Sequence, residues 1–95
     1  MIHVLAQANY EELQKFISIF ATRGAAMRRK HGCLKAQLFR VPDQENRAVI
    51  LFEWESREAF EGFLSDPDVP PTMRSSGTIG RPEFTILEEI AQFPG

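Results

Sequence analysis

The sequence predicts an α+β fold of order βαββαβ, an antiparallel sheet with its helices on one face. Three observations carry this. Apolar residues recur at three- and four-residue steps from Leu13 to Met27; two apolar runs flank a polar stretch at 42–46; and a shorter helical pattern headed by a serine follows the second run. A length of 95 residues allows one domain, 1–95, and 43% hydrophobic with 25% charged residues is the composition of a globular chain.

A first strand is expected over residues 2–6, a run rich in β-branched side chains, with a turn over 7–9. Asn9 is suited to cap the helix that follows. Glu12 stands three residues on, and Glu11 and Glu12 suit the positive end of the helix dipole. The helix is expected from Tyr10, with Leu13, Phe16, Ile17, Phe20, Gly24 and Met27 along one stripe. It closes on Arg28-Arg29-Lys30-His31-Gly32: cations at the negative end, then a glycine able to take the left-handed cap conformation. Residues 33–41 and 47–54 make a hairpin about the turn 42–46. Ser56 caps a second helix in which Ala59, Phe60, Phe63 and Leu64 share one face, and which ends before Asp66-Pro67. Residues 65–82 carry four prolines and two glycines, the composition of a lid or binding loop, with room for one helical turn over 71–74. Residues 84–91 return to strand character, and Pro94-Gly95 is a frayed end.

This order is the ferredoxin-like split βαβ arrangement. On its third strand Ala48, Ile50, Phe52 and Trp54 point one way and Val49 and Leu51 the other, so both faces of the sheet are apolar. Helices cover only one face, and the other is expected to meet a second copy in a homodimer. Eleven Lys and Arg against 13 Asp and Glu give a net charge of −2, too acidic for a protein that binds phosphate backbones, so no nucleic acid partner is expected. One cysteine, Cys33, builds neither a disulfide framework nor a zinc module, which fits a reducing cytoplasm. His3, His31 and Cys33 lack the paired spacings that hold zinc or iron, so no metal is expected. No apolar run is long enough for a membrane span, no signal peptide is expected, and no glycine-rich phosphate loop marks a nucleotide or flavin site.

Residues 51–64, Leu-Phe-Glu-Trp-Glu-Ser-Arg-Glu-Ala-Phe-Glu-Gly-Phe-Leu, resemble the signature of the antibiotic biosynthesis monooxygenase family and lie where that family has it, between strand three and helix two. The chain is also similar in length, in the passage His31-Gly32-Cys33 and in its closing strand. The resemblance implies a dimeric α/β barrel with a small-molecule pocket between sheet and helices in each subunit. It does not imply one reaction, because the family mixes cofactor-free oxygenases, haem-degrading enzymes and isomerase-like members. Haem-degrading members carry a Trp on helix two followed by a His; here Phe63 holds that position and no histidine follows His31, so that chemistry is not expected.

The cofactor-free members place, relative to the signature Trp, an Asn four residues before, a Tyr six after and an Arg twenty after. Counted from Trp54 these positions hold Ile50, Phe60 and Arg74. The resemblance thus implies Trp54 and Arg74 as catalytic residues, the guanidinium forking onto a phenolate and the indole supplying a wall and a donor. It implies Ile50, Phe52, Phe60 and Phe63 as substrate-binding residues, and no cofactor. The function so implied is oxidation of a small phenolic or quinol-type aromatic by O2; the alternative is a non-catalytic small-molecule-binding or regulatory dimer of the same fold. An architectural reading stands beside it: Trp54 ends a strand, Ser56 caps a helix, Ala59, Phe60 and Phe63 pack it, and Arg74 is a solvent arginine.

Overall fold

The computed structural model describes all 95 residues. Its elements are β1 (Ile2–Tyr10), α1 (Leu13–Ala21), α2 (Arg23–Lys30), β2 (Cys33–Arg40), β3 (Arg47–Trp54), α3 (Arg57–Ser65), α4 (Val69–Ser75) and β4 (Thr78–Leu87). The strands form one antiparallel sheet of order β2-β3-β1-β4, the arrangement expected of the split βαβ topology. Alternation decides the faces. Val4, Ala6, Ala8 and Tyr10 of β1 and Ala48, Ile50, Phe52 and Trp54 of β3 are buried against Phe16, Phe60, Phe63 and Val69 of the helices. No helix is long and apolar enough to cross a membrane.

Several elements follow the sequence closely. The strand β3 occupies the expected residues, Ser56 accepts the Ala59 N–H at 3.1 Å as the N-cap of α3, and Gly32 takes φ +90 behind the cationic end of α2. Leu64 departs from its expected face and is 41% exposed.

Asn9 is not a cap but a strand residue, paired with Arg47 on one side and Ile79 on the other. Hydrogen-bonding demand explains this: β1 is central, and a ladder on both sides satisfies more backbone groups than one cap does. The turn into α1 is held instead by Asn46 at φ +63, whose Nδ2 donates to the carbonyls of Tyr10 and Glu11 at 2.8 and 2.9 Å. The long first helix is two helices, broken at Thr22 (φ −112, ψ −89), whose hydroxyl turns back to the Ser18 carbonyl at 2.7 Å.

The expected lid is largely regular structure. Two of its prolines, Pro70 and Pro71, open α4, where a missing N–H costs nothing, and its end belongs to β4. Gly80 (φ +69), Arg81 and Pro82 bulge out of β4 opposite Ala8, a site on an edge strand where proline is tolerated. The last strand ends at Leu87 rather than Ala91 because Leu87 pairs with His3 and β1 has almost no residues beyond it.

The second face of the sheet is bare. Leu5, Val49 and Leu51 lie at its centre, with Phe39 and Leu87 further out at 49% and 39% exposure. Polar pairs interrupt it: His3 with Glu53 at 3.3 Å, and Arg47 with Gln7.

Candidate functional site

A cavity of about 80 Å³, enough for several waters, lies between the sheet and the helices. Small residues create it. Ala6 and Ala8 on β1 and Gly24 on α2 leave space that larger side chains would fill, while Ile50, Phe52 and Phe84 rise around them from the sheet. Phe16 and Phe20 from α1, Phe63 from α3, and Val69 and Met73 from α4 close the far side.

Four polar side chains reach this apolar wall: Arg28, Thr72, Ser76 and Thr78. The hydroxyls serve the protein itself. Thr72 donates to the Asp68 carbonyl at 2.9 Å, Ser76 donates to the Met73 carbonyl at 2.6 Å, and Thr78 therefore donates to Ser76 at 2.7 Å. Arg28 is different. One Nη donates to the Phe20 carbonyl at 3.0 Å and the guanidinium lies 3.9 Å above the Phe20 ring, yet no carboxylate pairs with it. Burial pushes its pKa below the ordinary arginine value, and the group stays a cation at the edge of a low-dielectric cavity. No Asp, Glu or His lines the cavity, so it presents fixed positive charge and no general base.

Of the residues singled out from sequence, Ile50, Phe52 and Phe63 line the cavity. Trp54 and Phe60 sit behind it, 0% and 1% exposed, with the indole centroid 6.1, 5.4 and 5.0 Å from the rings of Phe52, Phe60 and Phe63. The Trp54 Nε1–H is buried without a partner. Arg74 lies on the exposed side of α4, outside the cavity lining. The residue not foreseen there is Arg28, which the sequence offers only as one of the Arg28-Arg29-Lys30 cluster, suited to attract an anion or to complement the end of its helix. Its signal was spacing, for Phe20, Gly24 and Arg28 stand at four-residue steps on one helical stripe.

The helix α4, which supplies one wall, is tied in place by Asp66. Its carboxylate accepts from His31 Nε2 at 2.7 Å, from Lys30 Nζ at 3.2 Å and from the Asp68 amide at 2.9 Å, joining the end of α2 to the corner between α3 and α4. The His31 hydrogen bond, followed by the Asp68 amide, holds this carboxyl at about 2 against an ordinary 3.8. Its folded value is the lower one, so its stabilisation is fully present above 3.8 and is lost as pH falls through about 2. The urea midpoints of the parent chain and Asp66→Asn are expected to differ most near neutral pH and to converge in acid. A gap that stays constant into acid would show that the carboxylate's charge contributes nothing. No three His, Cys, Asp or Glu side chains gather anywhere in the fold to hold a metal.

The family model for antibiotic biosynthesis monooxygenases matches residues 1–72. Among solved structures, SnoaB, a cofactor-independent oxygenase from Streptomyces nogalater, superposes with a TM-score of 0.79 at 22% identity, covering 99% of this chain and 97% of that one. A protein of the antibiotic biosynthesis monooxygenase type from Caulobacter crescentus CB15 superposes at 0.75 with 20% identity, over 95% and 90% of the two chains. A variant of MhuD holding two manganese protoporphyrin IX molecules per active site superposes at 0.70 with 20% identity, over 100% of each chain. A search of curated proteins gives no match.

Proposed function

We propose, from the premise that this chain belongs to the antibiotic biosynthesis monooxygenase family, that it is a cofactor-free monooxygenase oxidising a small phenolic or quinol-type aromatic with O2. The observation that carries this is Arg28, a part-buried guanidinium without an acid partner at the edge of an otherwise apolar cavity. Such a site favours a flat apolar ring with one ionisable oxygen. The guanidinium stabilises the phenolate over the phenol and so draws the proton off without a base in the cavity. The phenol proton passes to solvent, the ionised ring gives one electron to O2, and the two radicals join in a C–O bond at a ring C–H carbon. The hydroperoxide formed there takes up a proton and breaks its O–O bond, losing the C–H hydrogen and the outer oxygen as water, so that phenol and O2 give a quinone-type C=O and H2O. Ile50, Phe52 and Phe63 hold the ring, while Trp54 acts through Phe52 and Phe63 by fixing their positions.

A porphyrin, as bound by the MhuD variant, does not fit here: no His, Cys or Tyr lines the cavity to hold its metal. The working form in this reading is a homodimer joined through the bare sheet faces, and the single free Cys33 suits a reducing cytoplasm. The absence of an acid or base among the lining residues favours a second reading, a dimer that binds phenols and performs no chemistry.

Oxygen uptake with metal-free, flavin-free protein and a panel of hydroquinones, anthrones and naphthols tests the proposal. Uptake by the parent chain that falls about tenfold or more in Arg28→Gln is the expected result, the size following from a lost charge-assisted hydrogen bond. Uptake lost in Arg74→Ala and kept in Arg28→Gln would move the site to α4. Phenol binding without uptake would select the second reading.

A further inference from the structure

The Arg28 guanidinium is placed by two irregularities on the same helical stripe. The chain breaks at Thr22, where φ −112 and ψ −89 interrupt the helix, and Arg28 donates to the Phe20 carbonyl beside that break. Four residues past Phe20 and four before Arg28 comes Gly24. A Cβ built there would stand 3.1 Å from an Arg28 Nη and 3.1 Å from the Ile19 carbonyl oxygen, closer than ordinary van der Waals contact. The guanidinium thus lies back along its own helix over the Phe20 ring and close against Gly24, so that a side chain at 24 presses on it and on the Ile19 carbonyl and displaces one of them by a few tenths of an ångström. Gly24 needs no unusual backbone here, for its φ is not positive, so its value lies in the missing side chain. A glycine inside a helix otherwise costs about 0.5–1 kcal/mol relative to alanine.

We infer that Gly24 is a positioning residue: it admits the Arg28 guanidinium to the edge of the cavity and so sets the preference of the site for ionised phenols over neutral ones. This rests on the reading of the cavity given above. Gly24 touches no reacting atom and acts only through Arg28.

The test uses two probes of like size, 4-nitrophenol, which ionises, and 4-nitroanisole, which does not. Binding of the phenol is read across a pH series by the absorbance of the bound phenolate, and binding of both probes by titration calorimetry. The parent chain is expected to lower the apparent pKa of bound 4-nitrophenol and to prefer it to the ether. In Gly24→Ala this preference is expected to fall about tenfold while ether binding stays as before, because one charge-assisted contact is lost and the apolar walls are kept. A double variant, Gly24→Ala with Arg28→Lys, is expected to regain part of the preference, since an ammonium lacks the Nη atoms that meet the new methyl group. General damage to the fold would not be repaired that way.

If Arg28→Gln loses the preference and Gly24→Ala keeps it, the positioning role is overturned and the reading of the cavity stands. If the parent chain shows no preference, or binds neither probe, that reading is overturned and the inference with it. If Gly24→Ala loses ether and phenolate binding equally and the double variant regains nothing, the residue is structural only and the inference fails.

Discussion

Replacing Trp54 by alanine is expected to destabilise the chain by about 3–5 kcal/mol, the usual cost of emptying a core site of an aromatic ring. Trp54 is 0% exposed and packs on Phe52, Phe60 and Phe63, so no neighbour collapses into the space without leaving its own place. Small domains are stable by about 5–15 kcal/mol, which makes this single change about a fifth of the total or more. Trp54→Phe is expected to cost far less. It gives up part of the ring but also removes an indole N–H that is buried without an acceptor, a group that costs about 1–3 kcal/mol to desolvate. Urea unfolding of the three proteins measures both numbers, and similar losses for Ala and Phe would mean that the orphaned N–H finds a partner in solution. Oxygen uptake per folded molecule should survive in Trp54→Phe, because the indole stands behind the cavity wall.

Leu51→Lys is expected to convert a dimer into a monomer. The side chain lies at the centre of the bare face, between Leu5 on β1 and Gln37 on β2, where the two-fold axis of the proposed homodimer would bring two such residues into one interface. Two ammonium groups buried there would repel each other, and Glu53, two residues along β3, is already engaged by His3. Light scattering at micromolar concentration should give about twice 10.8 kDa for the parent chain and 10.8 kDa for the variant. A monomeric parent would leave the apolar stripe Leu5, Val49 and Leu51 open to solvent and end the dimer proposal.

What was legible in the sequence follows from how local each signal is. The strand β3 is a continuous apolar run, Ala48 to Phe52, between Arg47 and Glu53, and Ser56 caps a helix through the amide three residues on, so neighbours in sequence decide both. Gly32 is equally local, a glycine behind three cations. Asn9 was misread because its environment comes from elsewhere: Arg47 and Ile79 pair with it from strands far along the chain. The prolines of α4 read as a loop because their helical use depends on where the helix starts, a position that Asp66 and the α2 end determine. Ile50, Phe52, Phe60 and Phe63 were named as substrate-binding through the family resemblance, and of these Ile50, Phe52 and Phe63 line the cavity while Phe60 lies behind it. Arg28 was not, because its four-residue spacing from Phe20 and Gly24 is visible in the sequence but a cation in the last turn of a helix reads equally as a partner of the helix dipole.

The strand order has a consequence for how the molecule assembles. Both neighbours of β1 are made after it, and the second arrives only at the end: His3 meets Leu87, 87 − 3 = 84 positions later. Closing so long a loop is entropically slow, and until it closes β1 offers an unpaired apolar edge. The same late strand brings Thr78, Pro82 and Phe84 to the cavity. Until β4 pairs, Phe16, Phe20, Phe52 and Phe63 stand without Thr78, Pro82 and Phe84 opposite them, so in the proposed reading ligand binding and completion of the sheet become one event.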